Sequence, residues 1–195
     1  MCNLYTQTRS VDEVAQLFRD LQMPLSFPEG VPNLQAGEIA ITDRAPIVRL
    51  ATAGPGECAL VSRRWSWPGP SGKPVYNFRS DGREFASGRC LILADGFYEF
   101  TAQADPKARR KHKWRFTLRG APLFAIAGLW RSNPQVGEAF TMLTMPPGED
   151  MAPYHNRQVA VVRPQTFSRW LDPAVPSTQL LEPLRAGSLI VEQVR

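Results

Sequence analysis

The sequence lacks the features that define several large protein classes. Only three of its residues are cysteine and only two are histidine. An odd number of cysteines without regular spacing argues against a disulfide framework and against a zinc site. No apolar run approaches the roughly 20 residues that a membrane-spanning helix requires, and no secretory signal precedes the first helix. We therefore expect an intracellular globular protein that needs no metal or other cofactor and has no membrane partner.

Composition and charge are those of a globular protein with a basic surface. Hydrophobic residues make up 43% of the chain, and the net charge is +5. The length suits one domain over 1–195 with a substantial core. A basic chain is compatible with a polyanionic partner, but many basic proteins bind none. The basic run 109–113 is typical of a solvated loop between two strands and, less often, of a phosphate contact.

Helix signals are few and strand signals are many. Ser10 and Glu13 form a capping-box pattern, and apolar residues then recur at helical spacing until Pro24. The stretch that follows, up to about residue 46, is rich in proline and glycine and indicates a long connection. A second helix is predicted to begin at Pro164.

Short apolar or alternating runs, separated by turn residues, account for most of the remaining chain. They predict strands over 47–51, 59–63, 91–94, 96–101, 114–118, 123–130, 140–145, 159–162 and 189–194, with a further short helix over 177–184. Strands do not alternate regularly with helices, which argues against a doubly wound parallel sheet. We expect an α+β fold: a single domain with a curved, largely antiparallel, barrel-like sheet flanked by a few helices.

Cys2 is a candidate nucleophile because of its position. Methionine is normally trimmed before a small second residue, and loss of Met1 would leave an amine and a thiol on neighbouring carbons. The amine titrates near about 7.7–8.0 and the thiol near about 8.5, so both are partly nucleophilic at neutral pH. Such a pair condenses with an aldehyde to an imine and then closes a thiazolidine ring. A cysteine at position 2 is also compatible with an ordinary, disordered terminus.

Three other segments place polar groups where chemistry is possible. Asn77 and Arg79 would share one face of an extended segment. Glu99 follows an apolar run and stands among aromatic residues, which favour a raised carboxyl pKa and a general acid or base role. His155 directly precedes an apolar strand. Each pattern alone is more often an ordinary polar surface than a functional site, and only the combination is specific.

The order of these motifs resembles the SOS-response-associated peptidase (SRAP) family, whose members process abasic sites in DNA. The resemblance runs from Cys2 to about Leu171. It is carried by Met-Cys-Asn at the start, Asn-Phe-Arg-Ser at 77–80, Gly-Phe-Tyr-Glu-Phe at 96–100, Gly-Leu-Trp at 128–130, a threonine-bearing strand, and the histidine before the strand at 159–162.

The resemblance implies four catalytic residues. Cys2 would form the thiazolidine with the aldehyde of the ring-opened sugar, and Asn77 would position the amino-terminal group and the adduct. Glu99 would assist sugar ring-opening and proton transfer. His155 would lie near the hydroxyl that ring-opening releases.

The resemblance also implies DNA contacts. Arg79 would hold a phosphate, Trp65 would support the DNA groove, and Ser80 and Arg157 belong to the same motifs. The chain departs from the family pattern where Asn3-Leu4 replaces the usual Gly-Arg, so one arginine near the DNA is missing. The segment after Trp65 and the stretch between Ser80 and Arg89 are short, and Gln-Val at 158–159 replaces the usual Met-Pro.

These observations predict a cytoplasmic monomer, associated with the nucleoid when bound to DNA, that senses abasic sites in single-stranded DNA and crosslinks to them. Autopeptidase and strand-cleaving activities are further possibilities. Two alternatives remain. The first is an amidohydrolase with an amino-terminal nucleophile, such as a glutamine amidotransferase domain, although the glycine typical after that cysteine is Asn3 here. The second is a non-catalytic module that binds single strands through arginine and tryptophan side chains.

Overall fold

The computed structural model describes residues 2–51, 57–105, 107 and 109–195. The helices are α1 (Val11–Asp20) and α2 (Phe167–Leu171), with 3₁₀ turns at Pro164–Thr166 and Ser177–Gln179. The strands are β1 (Leu4–Gln7), β2 (Leu25–Ser26), β3 (Gly37–Ala40), β4 (Arg44–Leu50), β5 (Cys58–Trp65), β6 (Trp67–Pro68), β7 (Pro74–Val75), β8 (Asn77–Arg79), β9 (Arg89–Ala94), β10 (Gly96–Thr101), β11 (His112–Leu118), β12 (Phe124–Asn133), β13 (Gly137–Met145), β14 (Gln158–Val159), β15 (Val161–Val162) and β16 (Leu189–Gln193).

Five strands close into a barrel. Strand β13 pairs with β12, β12 with β9, β9 with β4 and β4 with β5, and each of these pairings is antiparallel. The ring is completed by a parallel pairing of β5 with β13 at Ala139 and Phe140. Beyond this seam β8 pairs with β13, also in parallel, and places Asn77 opposite Met142. The expected curved, largely antiparallel sheet is therefore confirmed.

A second sheet of five strands has the order β16-β11-β10-β1-β3 and is antiparallel throughout. It joins the barrel where β9 runs into β10 with only Asp95 between them. In this sheet β1 lies beside β10, with Tyr5 opposite Phe97 and Thr6 opposite Gly96. The pairing brings the amino-terminal residues next to the strand that carries Glu99.

Two apolar clusters hold these layers together. One fills the barrel and the space beneath the second sheet, and it includes Tyr5, Trp65 and Phe97. The other lies between the barrel and the two helices, where Phe18 of α1 stacks on Phe167 of α2 with ring centroids 5.4 Å apart. Burial of this apolar surface drives both helices onto the barrel.

The first helix begins as its sequence predicts. Ser10 Oγ accepts a hydrogen bond from the Glu13 backbone N–H at 3.2 Å, and the Glu13 carboxylate accepts one from the Ser10 backbone N–H at 2.8 Å. These reciprocal bonds satisfy amide groups that the first helical turn leaves without partners. The helix buries Val14, Ala15 and Phe18 on one face.

Two predictions about local structure were wrong. The stretch up to residue 46, predicted to be a connection, contains β2, β3 and the start of β4. The helix predicted over 177–184 is only the 3₁₀ turn Ser177–Gln179. Strand β3 has a weak pattern of its own and forms because β1 supplies its hydrogen-bond partners, which is the usual way in which tertiary context overrides propensity. Across the described ranges, the structure contains no helix both long and apolar enough to span a bilayer.

Candidate functional site

Cys2 is held in place rather than loose. Its residue is only 1% exposed. The side-chain amide of Asn77 donates a hydrogen bond to the Cys2 carbonyl oxygen at 2.8 Å, and the Cys2 thiol donates one to the Leu4 carbonyl oxygen at 3.3 Å. Asn77 can reach Cys2 because β8 adds to the edge of the barrel strand β13. The structure therefore brings together the first two residues of the predicted catalytic set.

Burial controls the charge of the Cys2 thiol. Loss of hydration and, to a lesser extent, repulsion of the thiolate by the nearby Glu99 carboxylate together raise the pKa of this thiol to about 12. The thiol is therefore protonated near pH 7. This state differs from that of a thiolate nucleophile, which needs a lowered pKa.

Glu99 lies in β10, opposite Trp114 of β11. Its residue is only 3% exposed. Burial raises the pKa of its carboxyl above the ordinary value, because the low-dielectric surroundings disfavour the ionised form. A carboxyl group that keeps its proton closer to neutral pH is suited to donate it, as a general acid must.

His155 lies in the loop before β14. The preceding residue, Tyr154, packs its ring against the ring of Trp114 with centroids 4.8 Å apart. This contact places His155 next to the strand pair that carries Glu99. The backbone N–H of Arg157 donates to His155 Nδ1 at 2.9 Å, so the proton of the neutral imidazole resides on Nε2. Burial lowers the pKa of His155, which favours this neutral form.

The two arginines predicted to contact DNA, Arg79 and Arg157, have different surroundings. Arg79 is exposed at the end of β8, two residues after Asn77. Arg157 is engaged by the protein itself: its guanidinium lies 2.5 Å from Asp81 Oδ2 and donates to the Thr144 carbonyl oxygen at 2.7 Å. Arg79 is therefore the better placed of the two to meet a phosphate, and both DNA contacts stay predictions.

The other two predicted DNA-contacting residues are buried. Trp65 is 0% exposed, and its indole N–H donates to the Tyr76 carbonyl oxygen at 2.9 Å. Ser80 is 7% exposed, and its hydroxyl donates to the Thr144 carbonyl oxygen at 3.0 Å. Both side chains brace the backbone around β8, and a supporting role beneath a DNA groove stays a prediction for them.

The sequence reasoning missed Asp95, a buried carboxylate between β9 and β10. It is 6% exposed and accepts hydrogen bonds from the backbone N–H of Thr8, at 2.7 Å, and from the Thr8 hydroxyl. An acid that ends the apolar run Leu-Ile-Leu-Ala was a detectable signal, because a buried carboxylate requires partners. The partner itself could not be found, since Thr8 is 87 residues away.

Comparison with known proteins identifies a matching family and several relatives of this chain. The model of the family described as "SOS response associated peptidase (SRAP)" matches residues 1–195. The chain is 32% identical over 120 residues to the abasic site processing protein YoqW of Bacillus subtilis, covering 57% of this chain and 52% of that protein. It is 28% identical over 181 residues to the abasic site processing protein HMCES of Gallus gallus, covering 71% and 53%. The chain spans about half the length of these curated relatives.

Solved structures share the fold. A protein of Bacteroides thetaiotaomicron superposes with a TM-score of 0.76 at 15% identity, covering 100% of this chain and 92% of that one. A protein of Bordetella bronchiseptica superposes with a TM-score of 0.73 at 21% identity and covers 100% of both chains. Since the family model matches the whole sequence, the chain belongs to the SOS response associated peptidase family.

Proposed function

We propose that this protein captures abasic sites in single-stranded DNA through a covalent bond to Cys2, after Met1 has been removed. The observation that carries the proposal is the placement of Cys2: it is buried, its carbonyl oxygen accepts a hydrogen bond from Asn77, and it lies close enough to Glu99 for that carboxylate to disfavour the thiolate. The names of the relatives, which are abasic site processing proteins, support the same substrate.

The first step is opening of the sugar. An abasic deoxyribose is mostly a closed hemiacetal, which offers no aldehyde. Opening it moves the proton of the anomeric hydroxyl to the ring oxygen, and the sugar keeps all its atoms. Glu99 can donate a proton to the ring oxygen and receive the anomeric proton, because its raised pKa keeps the acid form available. His155 would steady the hydroxyl that is released.

The second step is bonding to Cys2. The α-amine attacks the aldehyde carbon, and loss of water gives an imine. The thiol then adds its sulfur to the imine carbon, and its proton passes to the imine nitrogen, which closes the thiazolidine without an oxidant or reductant. The amine acts first because the thiol, with its pKa near 12, is protonated at neutral pH. Asn77 limits the freedom of Cys2, which favours a productive approach.

The DNA is expected to be single-stranded. The sugar must leave the base stack to enter the site, and an unpaired strand loses no pairing energy when this happens. Arg79, exposed beside Asn77, would hold a neighbouring phosphate. We propose that the protein acts as a monomer and requires no metal, so adduct formation should persist in EDTA.

Two further activities belong to the same proposal. The imine makes the neighbouring sugar C–H acidic, so loss of that proton expels the 3′ phosphate and cleaves the strand. Hydrolysis of the Met1–Cys2 bond by the site itself would be an autopeptidase reaction. Strand scission is measured on a denaturing gel. Autoproteolysis is tested by cell-free synthesis without methionine aminopeptidase, and it would be supported if Glu99→Gln retains Met1.

The decisive experiment is incubation with an abasic single-stranded oligonucleotide, read by denaturing gel and intact mass. The wild-type chain should lack Met1 and form a heat-stable adduct whose mass corresponds to loss of one water. Cys2→Ser keeps the amine but cannot form a thiazolidine, so its product should be at most an imine that borohydride traps. Cys2→Ala should behave in the same way, and a heat-stable adduct with that variant would exclude the thiazolidine.

The same assay separates the alternatives. Release of ammonia from glutamine without any adduct would identify an amidohydrolase. Reversible, salt-sensitive binding without any adduct would identify a single-strand-binding module.

A further inference from the structure

We infer that Asp95 is a positioning residue for the proposed reaction: it fixes the register of β1 against β10 and thereby the place of Cys2 relative to Glu99. The inference rests on the proposed function, since it concerns the same site. It assigns a role to a buried carboxylate that touches neither Cys2 nor the predicted DNA contacts.

Three hydrogen bonds connect Asp95 to the end of β1. Its carboxylate accepts from the Thr8 backbone N–H at 2.7 Å and from the Thr8 hydroxyl. Its own backbone N–H donates to the Thr6 carbonyl oxygen at 2.9 Å. One residue at the junction of β9 and β10 thus bonds to two residues at the carboxyl end of β1.

Strand β1 needs such a fixed point because its pairing with β10 is short. Only Tyr5 and Thr6 are in register with β10, opposite Phe97 and Gly96. The other neighbour, β3, is the edge strand of this sheet and could move together with β1. A slip of one residue would shift Cys2 by about 3.3 Å along the strand and turn every side chain of β1 to the opposite face of the sheet.

Burial makes the slipped register costly. Asp95 is only 6% exposed, and a buried carboxylate without hydrogen bonds is strongly destabilising. A shift of β1 would remove the Thr8 donors from Asp95, while the nearest cation, Arg115, lies 4.0 Å from the other carboxylate oxygen. The native register is therefore favoured over registers shifted by one residue, because only the native register gives the carboxylate of Asp95 its hydrogen-bond donors.

Substitutions at Thr8 test this role with little risk to the core, because Thr8 is exposed. Thr8→Val has the same shape but lacks the hydroxyl donor, and it should slow single-turnover adduct formation roughly 3- to 10-fold, the effect of one hydrogen bond. Thr8→Ser retains the donor and should restore the wild-type rate. Binding to the same oligonucleotide without the lesion should not change in either variant.

Ser10→Ala is the matched control for stability. It removes the helix cap two residues further along, where Ser10 Oγ accepts from Glu13 N–H, and leaves the Asp95 contacts intact. This variant should lose stability but keep the wild-type adduct rate. If Ser10→Ala slows adduct formation as much as Thr8→Val does, general destabilisation explains the effect and the inference is overturned.

Asp95→Asn extends the test. It should slow adduct formation about tenfold or more, since small misplacements of reacting groups are costly. In a Glu99→Gln background, Asp95→Asn should slow adduct formation much less. The alignment that Asp95 provides has no benefit once the acid at position 99 has been removed. Fully multiplicative effects would show that Asp95 acts independently of Glu99 and would overturn the inference.

Hydrogen exchange at the Tyr5 and Thr6 amides provides a readout without DNA. Exchange there should be faster in Asp95→Asn and Thr8→Val than in wild type, and unchanged in Ser10→Ala. Unchanged exchange in the first two variants would show that Asp95 does not fix β1. If wild-type protein forms no adduct at all, the proposed function fails, whereas this exchange pattern would still decide whether Asp95 fixes the strand.

Discussion

Burial of Cys2 and Glu99 keeps both groups in their neutral forms over a wider pH range than in water. The pKa of the thiol is raised to about 12 and that of the carboxyl is raised above its ordinary value, in both cases chiefly by loss of hydration. A neutral acid is the form that opens a hemiacetal, and a protonated thiol leaves the first attack to the amine. The chemistry proposed for the site thus follows from the low dielectric around two adjacent residues.

Glu99→Gln should slow adduct formation by roughly 10²-fold or more, because the amide cannot transfer a proton to the sugar. His155→Ala should slow it less, since water can replace a group that only steadies a hydroxyl. Single-turnover gels measure the rate, and binding to the undamaged oligonucleotide serves as the control. Full-speed crosslinking by Glu99→Gln would mean that Cys2 waits for spontaneous opening of the sugar.

Glu99→Gln should also be more stable than the wild-type protein at neutral pH. Because the folded-state pKa of Glu99 is raised, the unfolded chain releases its proton at a lower pH than the folded one. The stability of the wild-type protein therefore falls as pH rises from the ordinary carboxyl pKa of 4.5 through the raised folded-state pKa. Thermal unfolding of wild type and Glu99→Gln should agree near pH 4 and diverge towards pH 7. Equal melting temperatures at both pH values would contradict this.

At the level of elements, β8 connects the candidate site to solvent. It pairs in parallel with β13, holds Asn77 at Cys2 and ends with the exposed Arg79. One short strand thus carries both a positioning amide and a potential phosphate ligand, which would couple the place of the DNA backbone to that of the nucleophile.

Arg79→Ala should weaken binding to all single-stranded sequences alike and reduce the slope of log K against log salt by roughly 0.7, the value for one phosphate contact. Arg19→Ala, which removes an exposed arginine at the end of α1, is the matched control and should leave the slope unchanged. Fluorescence anisotropy across a salt series measures both. The same slope for wild type and Arg79→Ala would remove Arg79 from the DNA contacts.

Local patterns predicted the elements whose signals are local. The capping box of Ser10 and Glu13 and the strand predicted over 96–101, which is β10, both appear in the structure as expected. Strands β1 and β3 were not predicted, because their few residues form strands only through partners that are distant in sequence. The bond between Thr8 and Asp95 was invisible for the same reason.

The candidate site was partly predictable. A cysteine at position 2 and a glutamate among aromatics are visible in the sequence, and the family resemblance selected Asn77 and His155 from many polar residues. Burial could not be read from the sequence: Trp65 and Ser80, which the resemblance assigns to the DNA-binding set, are both buried. Tryptophan and serine are compatible with either location, so only the packing of β8 and its neighbours decides between them.

At the level of the whole molecule, Glu84, in the connection between β8 and β9, attaches the carboxyl-terminal segment that begins near Ser177. Its carboxylate accepts from the Ser177 backbone N–H at 2.7 Å and from the Ser177 hydroxyl at 2.6 Å. The bonds from Ser177 lower the pKa of Glu84 to about 2.

This attachment should make stability depend on pH in the acid range. The contribution of Glu84 to the free energy of unfolding is fully present above its ordinary pKa of 4.5 and is lost as pH falls towards 2. Glu84→Gln should therefore be less stable than wild type at pH 6, with the difference closing as the pH approaches 2. Ser177→Ala should reproduce this behaviour in thermal unfolding. A difference that stays constant down to pH 2 would exclude Glu84 as the titrating group.

The pairing of the first strand with the middle of the chain has a consequence during synthesis. Thr6 and Gly96 are 90 residues apart, and translation at about 5–20 residues per second places roughly 5–18 s between their appearance. During that interval β1 has no β10 to pair with, and the amino terminus that the proposed chemistry requires is open to processing. Once β10 arrives, Cys2 is enclosed, so removal of Met1 by an external aminopeptidase would belong to the nascent chain rather than to the finished protein.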